Sequence, residues 1–242
     1  MSLQIPKQVE FASLSLIPEA IFDIYYYLEN NIQNKKNWKK FSEYELWYDL
    51  CLCILASNVH YEQALSAAAH LHNKELLDRH VMLENLNYAQ NRISYELSLP
   101  LFLPKKKDGN LRKYRFPNIR AKNIVKSTEN LSYKFSLMQL LKDSNSENEV
   151  RNFLVDNISG MAHKEASHFL RDIGFSNSLA IIDTHILTFL KELKIISSQT
   201  KISTIRQYFE LESIMQNLAS HYDLKLSILD NAIWHYMNIK HR

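Results

Sequence analysis

Scarce backbone punctuation constrains this chain more than any other feature. Only 3 glycines and 5 prolines occur in 242 residues. A many-stranded β fold needs such residues at its tight turns, and this sequence does not supply them. Helices joined by short polar loops fit the shortage. With 46% of residues hydrophobic, the chain can bury a substantial core. The expected fold class is all-α, in one unit of two lobes around a shared cleft.

Hydrophobic patterning places the helices. Helix-compatible apolar content covers Ile17–Leu28, and residues 30–40 are polar and basic. Glu43–Ala56 is rich in apolar residues and good helix formers, and reads as a buried helix. Ser57-Asn58-Val59-His60 breaks the pattern. Tyr61–Leu71 and Glu75–Leu86 resume it, and further helices are expected at Ile119–Glu129, Ser132–Leu141 and Glu147–Ile158.

Residues 93–116 read differently. Alternation in places, followed by Asp108-Gly109, points to a short β-hairpin or extended loop. Lys105, Lys106, Lys107, Arg112, Lys113 and Arg115 surround its tip. The formal net charge of +3 says little when spread out. Clustered here, it reads as a phosphate-contacting element with salt-dependent affinity, or as a solvated turn.

Cys51 and Cys53 are spaced i, i+2. On a helix they point to different faces, so they neither bridge nor chelate together. Two buried thiols are expected, which suits a reducing cytoplasm. No four-cysteine pattern exists for an iron–sulfur cluster, and no tight His/Cys/carboxylate cluster stands in the sequence. No metal and no cofactor are expected. No apolar run approaches a membrane span and no signal-peptide pattern opens the chain. The expectation is a soluble, cytoplasmic monomer with no membrane partner.

The most informative stretch runs from Glu147 to Leu190. An amphipathic helix ends at Ser159-Gly160. The connector Gly160-Met-Ala-His163 leads at once into Lys164–Ile173, and Gly174 stops that helix as a C-terminal glycine does. Apolar Leu179–Ile182 follows. Asp183 then stands at the N-cap of a helix over Ile186–Leu193.

Residues 160–174, followed by Ala180-Ile-Ile-Asp-Thr-His-Ile-Leu187, resemble the helix–hairpin–helix DNA glycosylase superfamily. More narrowly, they are similar to the archaeal-type 8-oxoguanine DNA glycosylase/AP lyases. The likeness also takes in residues 45–58, Tyr114-Arg-Phe116 through Ile124, and Asp230 with Trp234. It covers most of residues 43–240 with a gap at the basic hairpin. A lone Gly-x-x-x-Lys would carry nothing; lysine, aspartate, spacing and flanking helices agree together.

The resemblance implies an enzyme acting on double-stranded DNA that contains a modified base. It assigns Lys164 as the nucleophile that attacks the sugar and forms a Schiff base, in desolvated or cation-rich surroundings. Asp183 is implied to stabilise the oxocarbenium-like sugar and help position Lys164. Asn58, with Val59 or His60, is either a minor-groove wedge or a helix end. Trp234 either stacks on the flipped base or fills the core. His168, one turn after Lys164, either lines the base pocket or is a helix-surface histidine; Asp230 is a further residue of the base pocket, and His185 is structural. Gly160, Ala162, His163 and Arg120 join the DNA contacts, the hairpin binding phosphate through helix N–H groups. Ala162 departs from the family, whose hairpin often has a second glycine there. Arg242 lies near the place of a C-terminal lysine that faces the oxidised guanine in the family.

Lobe A is expected over 1–90 with the C-terminal helices 205–242, and lobe B over 117–204, containing the helix–hairpin–helix at 147–174. The substrate implied is 8-oxoguanine. The alternatives are another modified base, such as a bulky modified cytosine in phage DNA, or a catalytically silent DNA-binding module.

Overall fold

A computed structural model describes residues 17–31, 36–132 and 134–241. Arg242 and residues 1–16 of the expected lobe A lie outside the described residues. Among these residues the architecture is helical, and the only strand-like pairing is the single antiparallel bridge between Phe102 and Arg112. No described helix is long and apolar enough to cross a membrane.

The helices form two compact units. The first contains α1 (Glu19–Asn31), α10 (Thr184–Glu192), α11 (Ile205–His221) and α12 (Leu226–Lys240), with the chain from Ser176 onward. The second, Asn37–Phe175, contains α2 (Glu43–Ala56), α3 (Tyr61–Asn73), α4 (Arg79–Glu84), α5 (Leu86–Ser98), α6 (Pro117–Leu131), α7 (Leu137–Asp143), α8 (Glu147–Asn157) and α9 (His163–Asp172). This division differs from the lobes expected from the sequence. The helices of 43–98 share a unit with the helix–hairpin–helix because α2 packs on α6, α7 and α9. The segment 176–204 joins the C-terminal helices because α10 packs on α12.

In the first unit, α12 meets α1, α10 and α11. Its core comprises Ile21, Phe189, Leu190, Leu211, Met215, Leu218, Leu229 and Ile233, with Tyr25 accepting the Lys225 amide at 2.9 Å. In the second unit, α2 is the central helix, with nine residues of its fourteen buried. Ser42 caps it through the Glu45 amide, and Glu45 reaches back to the Ser42 amide at 2.7 Å. This reciprocal cap satisfies two otherwise orphaned donors. Trp47 anchors the helix to the chain after α3 by donating to the Leu77 carbonyl at 2.8 Å. Burial pushes the Cys51 thiol well up, and neither cysteine forms a disulfide.

Two boundaries differ from the sequence reading for local reasons. Asn85 divides the expected Glu75–Leu86 helix: it ends α4 and caps α5 by accepting the Tyr88 amide at 3.0 Å. From there α5 runs on to Ser98, so the residues read as the start of the hairpin are helical. Ala89, Ile93, Glu96 and Leu97 are its buried face, a helical and not an alternating spacing. The hairpin itself is short. Phe102 and Arg112 exchange backbone hydrogen bonds at 3.0 and 2.9 Å, and Gly109 turns the tip at φ +82°.

The helix–hairpin–helix is α8, residues 158–162 and α9. Arg151 of α8 is buried and donates to Ser167 Oγ of α9 at 3.2 Å and to Asn148 Oδ1 at 2.6 Å. One face of α6 supports the turn. Ser127 Oγ accepts the Ser159 amide at 2.9 Å while donating to the Asn123 carbonyl at 2.7 Å. Ser159 Oγ donates to Asn123 Oδ1 at 3.3 Å, and Asn130 Nδ2 donates to the Asn157 carbonyl at 2.9 Å. Gly160 makes the turn at φ +77°, and a Cβ there would meet Asn123 Nδ2 at 2.0 Å. A Gly160→Ala variant is therefore expected to lose about 1–3 kcal/mol from the left-handed backbone alone. Displacement of Asn123 adds to that loss. Urea unfolding checks the figure; an unchanged midpoint would show that the turn relaxes.

Candidate active site

Lys164 is the second residue of α9, directly beyond the turn. Its side chain is 37% exposed, and Nζ lies 3.4 Å from Glu165 Oε1. The expected desolvated or cation-rich surroundings are not what its own helix supplies, because the neighbour is a carboxylate. Glu165 is absent from the residues expected at the site, yet it organises this helix end. Its Oε2 accepts the Ala162 amide at 3.3 Å and its Oε1 accepts Ser57 Oγ of the α2 terminus at 3.4 Å. The acid three residues into a helix is the only readable signal of this reach-back contact.

Ala162 occupies the N-cap of α9 in extended backbone, φ −105°, ψ −179°. That conformation needs no glycine. Alanine brings no side-chain acceptor to the N–H groups of the first turn, which favours an acceptor from outside the helix. An exposed N-cap, a first turn of backbone donors and His163 half-buried at the first helical position present a local site for an anion.

The corner after α2 is held from the 112–120 segment. The Tyr114 hydroxyl donates to the Leu55 carbonyl, the Arg120 guanidinium to the Ser57 carbonyl, and Arg115 Nη1 to the Asn58 carbonyl at 3.5 Å. Burial pushes the Tyr114 hydroxyl up to about 12, which keeps it a donor at neutral pH. Asn58 is exposed at φ +58°, in the left-handed region that asparagine tolerates at a helix end. Val59 is half-buried and His60 is exposed. Arg120, expected on DNA, is only 6% exposed and is turned to the Ser57 carbonyl of the corner.

Arg112 is similarly occupied, donating from Nε to the Pro104 carbonyl at 2.7 Å. Lys105, Lys106, Lys107, Lys113 and Arg115 stand around the hairpin with at least part of each side chain open to solvent. Asp108 is turned back on its own loop. The Asn110 amide donates to it at 3.0 Å and holds its carboxyl below the usual range.

In the first unit, Asp183 is the N-cap of α10. Its Oδ1 accepts the His185 and Ile186 amides, both at 2.9 Å. Both cap bonds fall on one oxygen, which leaves Oδ2 outside the cap. The extended segment before it is pinned at several points. Glu212 Oε1 accepts the Ala180 amide at 3.0 Å, the Tyr208 hydroxyl donates to the Ala180 carbonyl at 2.8 Å, and Asp230 Oδ2 accepts the Ile181 amide at 3.1 Å. Asp230, expected in a base pocket, is 4% exposed and bonded to backbone, so it belongs to the scaffold that aims Asp183. Glu212 and Tyr208 escape a sequence reading because nothing local links them to residue 180.

Trp234 is not a core tryptophan: it is 42% exposed on α12. The His185 ring packs edge-on against it, with centroids 5.9 Å apart and planes at 73°. His185 braces an indole whose surface is open.

His168 Nε2 lies 3.2 Å from Asp172 Oδ2 on α9. Cys53 of α2 joins them, and the donor atoms of the three all lie within 4.8 Å of one another. The sequence shows no such cluster, because packing of α2 against α9 assembles it from distant segments. Tyr61 stands beside it. Burial first, and then Asp172 and Cys53, raise its hydroxyl to about 12.

A glycine-turned hairpin that opens a lysine-bearing helix, within a fold built of helices, is the helix–hairpin–helix class. A family model described as 8-oxoguanine DNA glycosylase matches residues 89–224. The 8-oxoguanine DNA glycosylase/AP lyase of Methanocaldococcus jannaschii is 34% identical over 209 residues, 86% of this chain and 87% of that protein. That of Metallosphaera sedula is 34% identical over 198 residues, 81% and 84% of the two chains. The crystal structure of the M. jannaschii glycosylase/lyase in complex with 15mer DNA containing 8-oxoguanine matches with a TM-score of 0.70 at 29% identity. The match covers 90% of this chain and 95% of that one. The chain belongs to the 8-oxoguanine DNA glycosylase family.

Proposed function

We propose that this protein excises 8-oxoguanine from double-stranded DNA and cleaves the resulting site as an AP lyase. Lys164 at the head of α9 carries the reading. As a neutral amine it attacks C1′ of the flipped nucleotide, and the C1′–N9 bond breaks with its electron pair leaving on the base. The base takes up a proton. The sugar opens to a Schiff base on Nζ, whose C2′ proton is acidified, and elimination expels the 3′ phosphate. Asp183 offers a carboxylate oxygen against the positive charge that develops on the sugar, held in direction by its cap bonds. Trp234 supplies an open indole face on which an extruded base can stack. The M. jannaschii relative, solved with DNA containing 8-oxoguanine, supports this substrate class.

Phosphate contacts fall to the α9 N-terminus around Ala162 and His163 and to the exposed cations of the basic hairpin. Asn58 and His60 at the α2 corner are assigned to the minor groove, where they help hold the base out. Replacing Lys105, Lys106 and Lys107 with glutamine is expected to weaken binding at all sequences. The log–log salt slope should flatten by about 0.9 for each phosphate that the variant no longer neutralises. Fluorescence anisotropy across salt concentrations measures it, and an identical slope would leave the loop as a solvated turn.

The deciding experiment incubates the protein with duplexes carrying 8-oxoguanine, uracil, normal bases only, or glucosylated hydroxymethylcytosine, with borohydride present. The expected result is a trapped covalent complex on the 8-oxoguanine duplex. A complex on the glucosylated duplex alone would move the substrate to modified cytosine. Neither trapping nor base release on any duplex would replace the enzyme with a DNA-binding module.

A further inference from the structure

We propose that Cys53, His168 and Asp172 form a binding site for a divalent cation of the zinc class, clamping α2 to α9. The three residues offer one sulfur, one imidazole nitrogen and one carboxylate oxygen, all within 4.8 Å of one another. Soft thiolate with imidazole selects zinc-like ions over magnesium or calcium, which take oxygen shells. Donor atoms around a tetrahedral zinc stand about 3.3–3.6 Å apart, from the usual bond lengths. The His168–Asp172 separation of 3.2 Å already lies near that span. Only a side-chain-scale adjustment brings in the sulfur.

The site is also supported by its surroundings. Cys53 is buried, which shields the ligand set from bulk water, while His168 and Asp172 are half-exposed and leave a path of entry. Three protein ligands leave a fourth position for water, the pattern of an open zinc site. Two ligands sit one turn apart on α9, and the third comes from the helix packed against it. An ion held there joins the central helix of the unit to the helix that carries Lys164. His168, read from the sequence as a base-pocket or helix-surface residue, thereby gains a role that does not depend on DNA or on the glycosylase reaction.

Titration of the full-length protein with Co2+ in the absence of DNA tests the site. One equivalent should bind with a thiolate-to-cobalt charge-transfer band, and Zn2+ should displace it. Zn2+ should also raise the melting temperature of the wild-type protein. Cys53→Ser should abolish the band, and His168→Gln, a change at a half-exposed position, should weaken cobalt binding at least tenfold. Binding without the thiolate band would assign the ion to surface histidines and overturn the proposal. So would a band that survives Cys53→Ser, affinity unchanged by His168→Gln, or no stoichiometric binding at all.

Discussion

Lys164→Gln is expected to remove the borohydride-trapped complex and strand cleavage together, lowering base excision by about 10³-fold or more. Glutamine keeps the polarity of the stem but has no amine lone pair to attack C1′. The fold should survive. Lys164 is not part of the core, and its ion pair with Glu165 is partly exposed. Such a pair contributes ~0–1 kcal/mol. Duplex binding should fall by no more than about threefold, because the anion-binding N–H groups at the α9 N-terminus are backbone and remain. The measurement is single-turnover excision beside anisotropy on the same duplex. Excision within tenfold of wild type would sink the lysine as nucleophile. In the wild-type protein, absent trapping with retained base release would instead assign the attack to water and remove the lyase step.

Glu165→Gln refines that result. The Glu165 carboxylate lies beside Nζ, and it also ties the α9 head to Ser57. Both jobs follow from a side chain three residues beyond Ala162, a cap position with no side-chain oxygen of its own. The chemistry of the lysine and the shape of the hairpin therefore share one residue.

The legible parts of this chain are those whose physics is local. Glu43–Ala56 is readable to its last residue because its apolar run, its Ser42 cap and the break at Ser57 all lie within one stretch. The hairpin and Asp183 are legible for the same reason: glycine turns and N-caps are written in neighbouring residues. What the sequence conceals is partnership across distance. Arg120 and Asp230 carry the right charges for DNA or base contact, but packing buries them against the Ser57 carbonyl and the Ile181 amide. The ladder of Asn123, Ser127 and Asn130 has helical spacing yet no signal naming the hairpin as its target. Helical spacing separates Cys53 from Cys51 but names no other neighbour for it, whereas the fold brings it to His168 and Asp172. The hairpin expected from residue 93 is the opposite error: local alternation after Ile93 is overruled by the buried helical face of Ala89, Ile93 and Leu97.

Asp183→Asn separates the two jobs of that residue. Asparagine caps helices about as well as aspartate, so the bonds from the His185 and Ile186 amides can persist on its carbonyl oxygen. Stability should change by less than about 0.5 kcal/mol, whereas Asp183→Ala should cost about 1 kcal/mol through loss of the cap. The charge is what asparagine removes. The position of Oδ2 becomes an amide nitrogen, a donor facing a sugar that turns positive in the transition state. Excision should drop about 10²–10³-fold, the usual consequence of removing one preorganised electrostatic partner. The scaffold of Glu212, Tyr208 and Asp230 keeps the backbone in place in both variants, so any difference between them reports on the side chain. Thermal melts and single-turnover rates on the three proteins decide the matter. A loss below threefold in Asp183→Asn, with the melt unchanged, would reduce Asp183 to a cap. A large loss with an unchanged melt would make its negative charge the catalytic element.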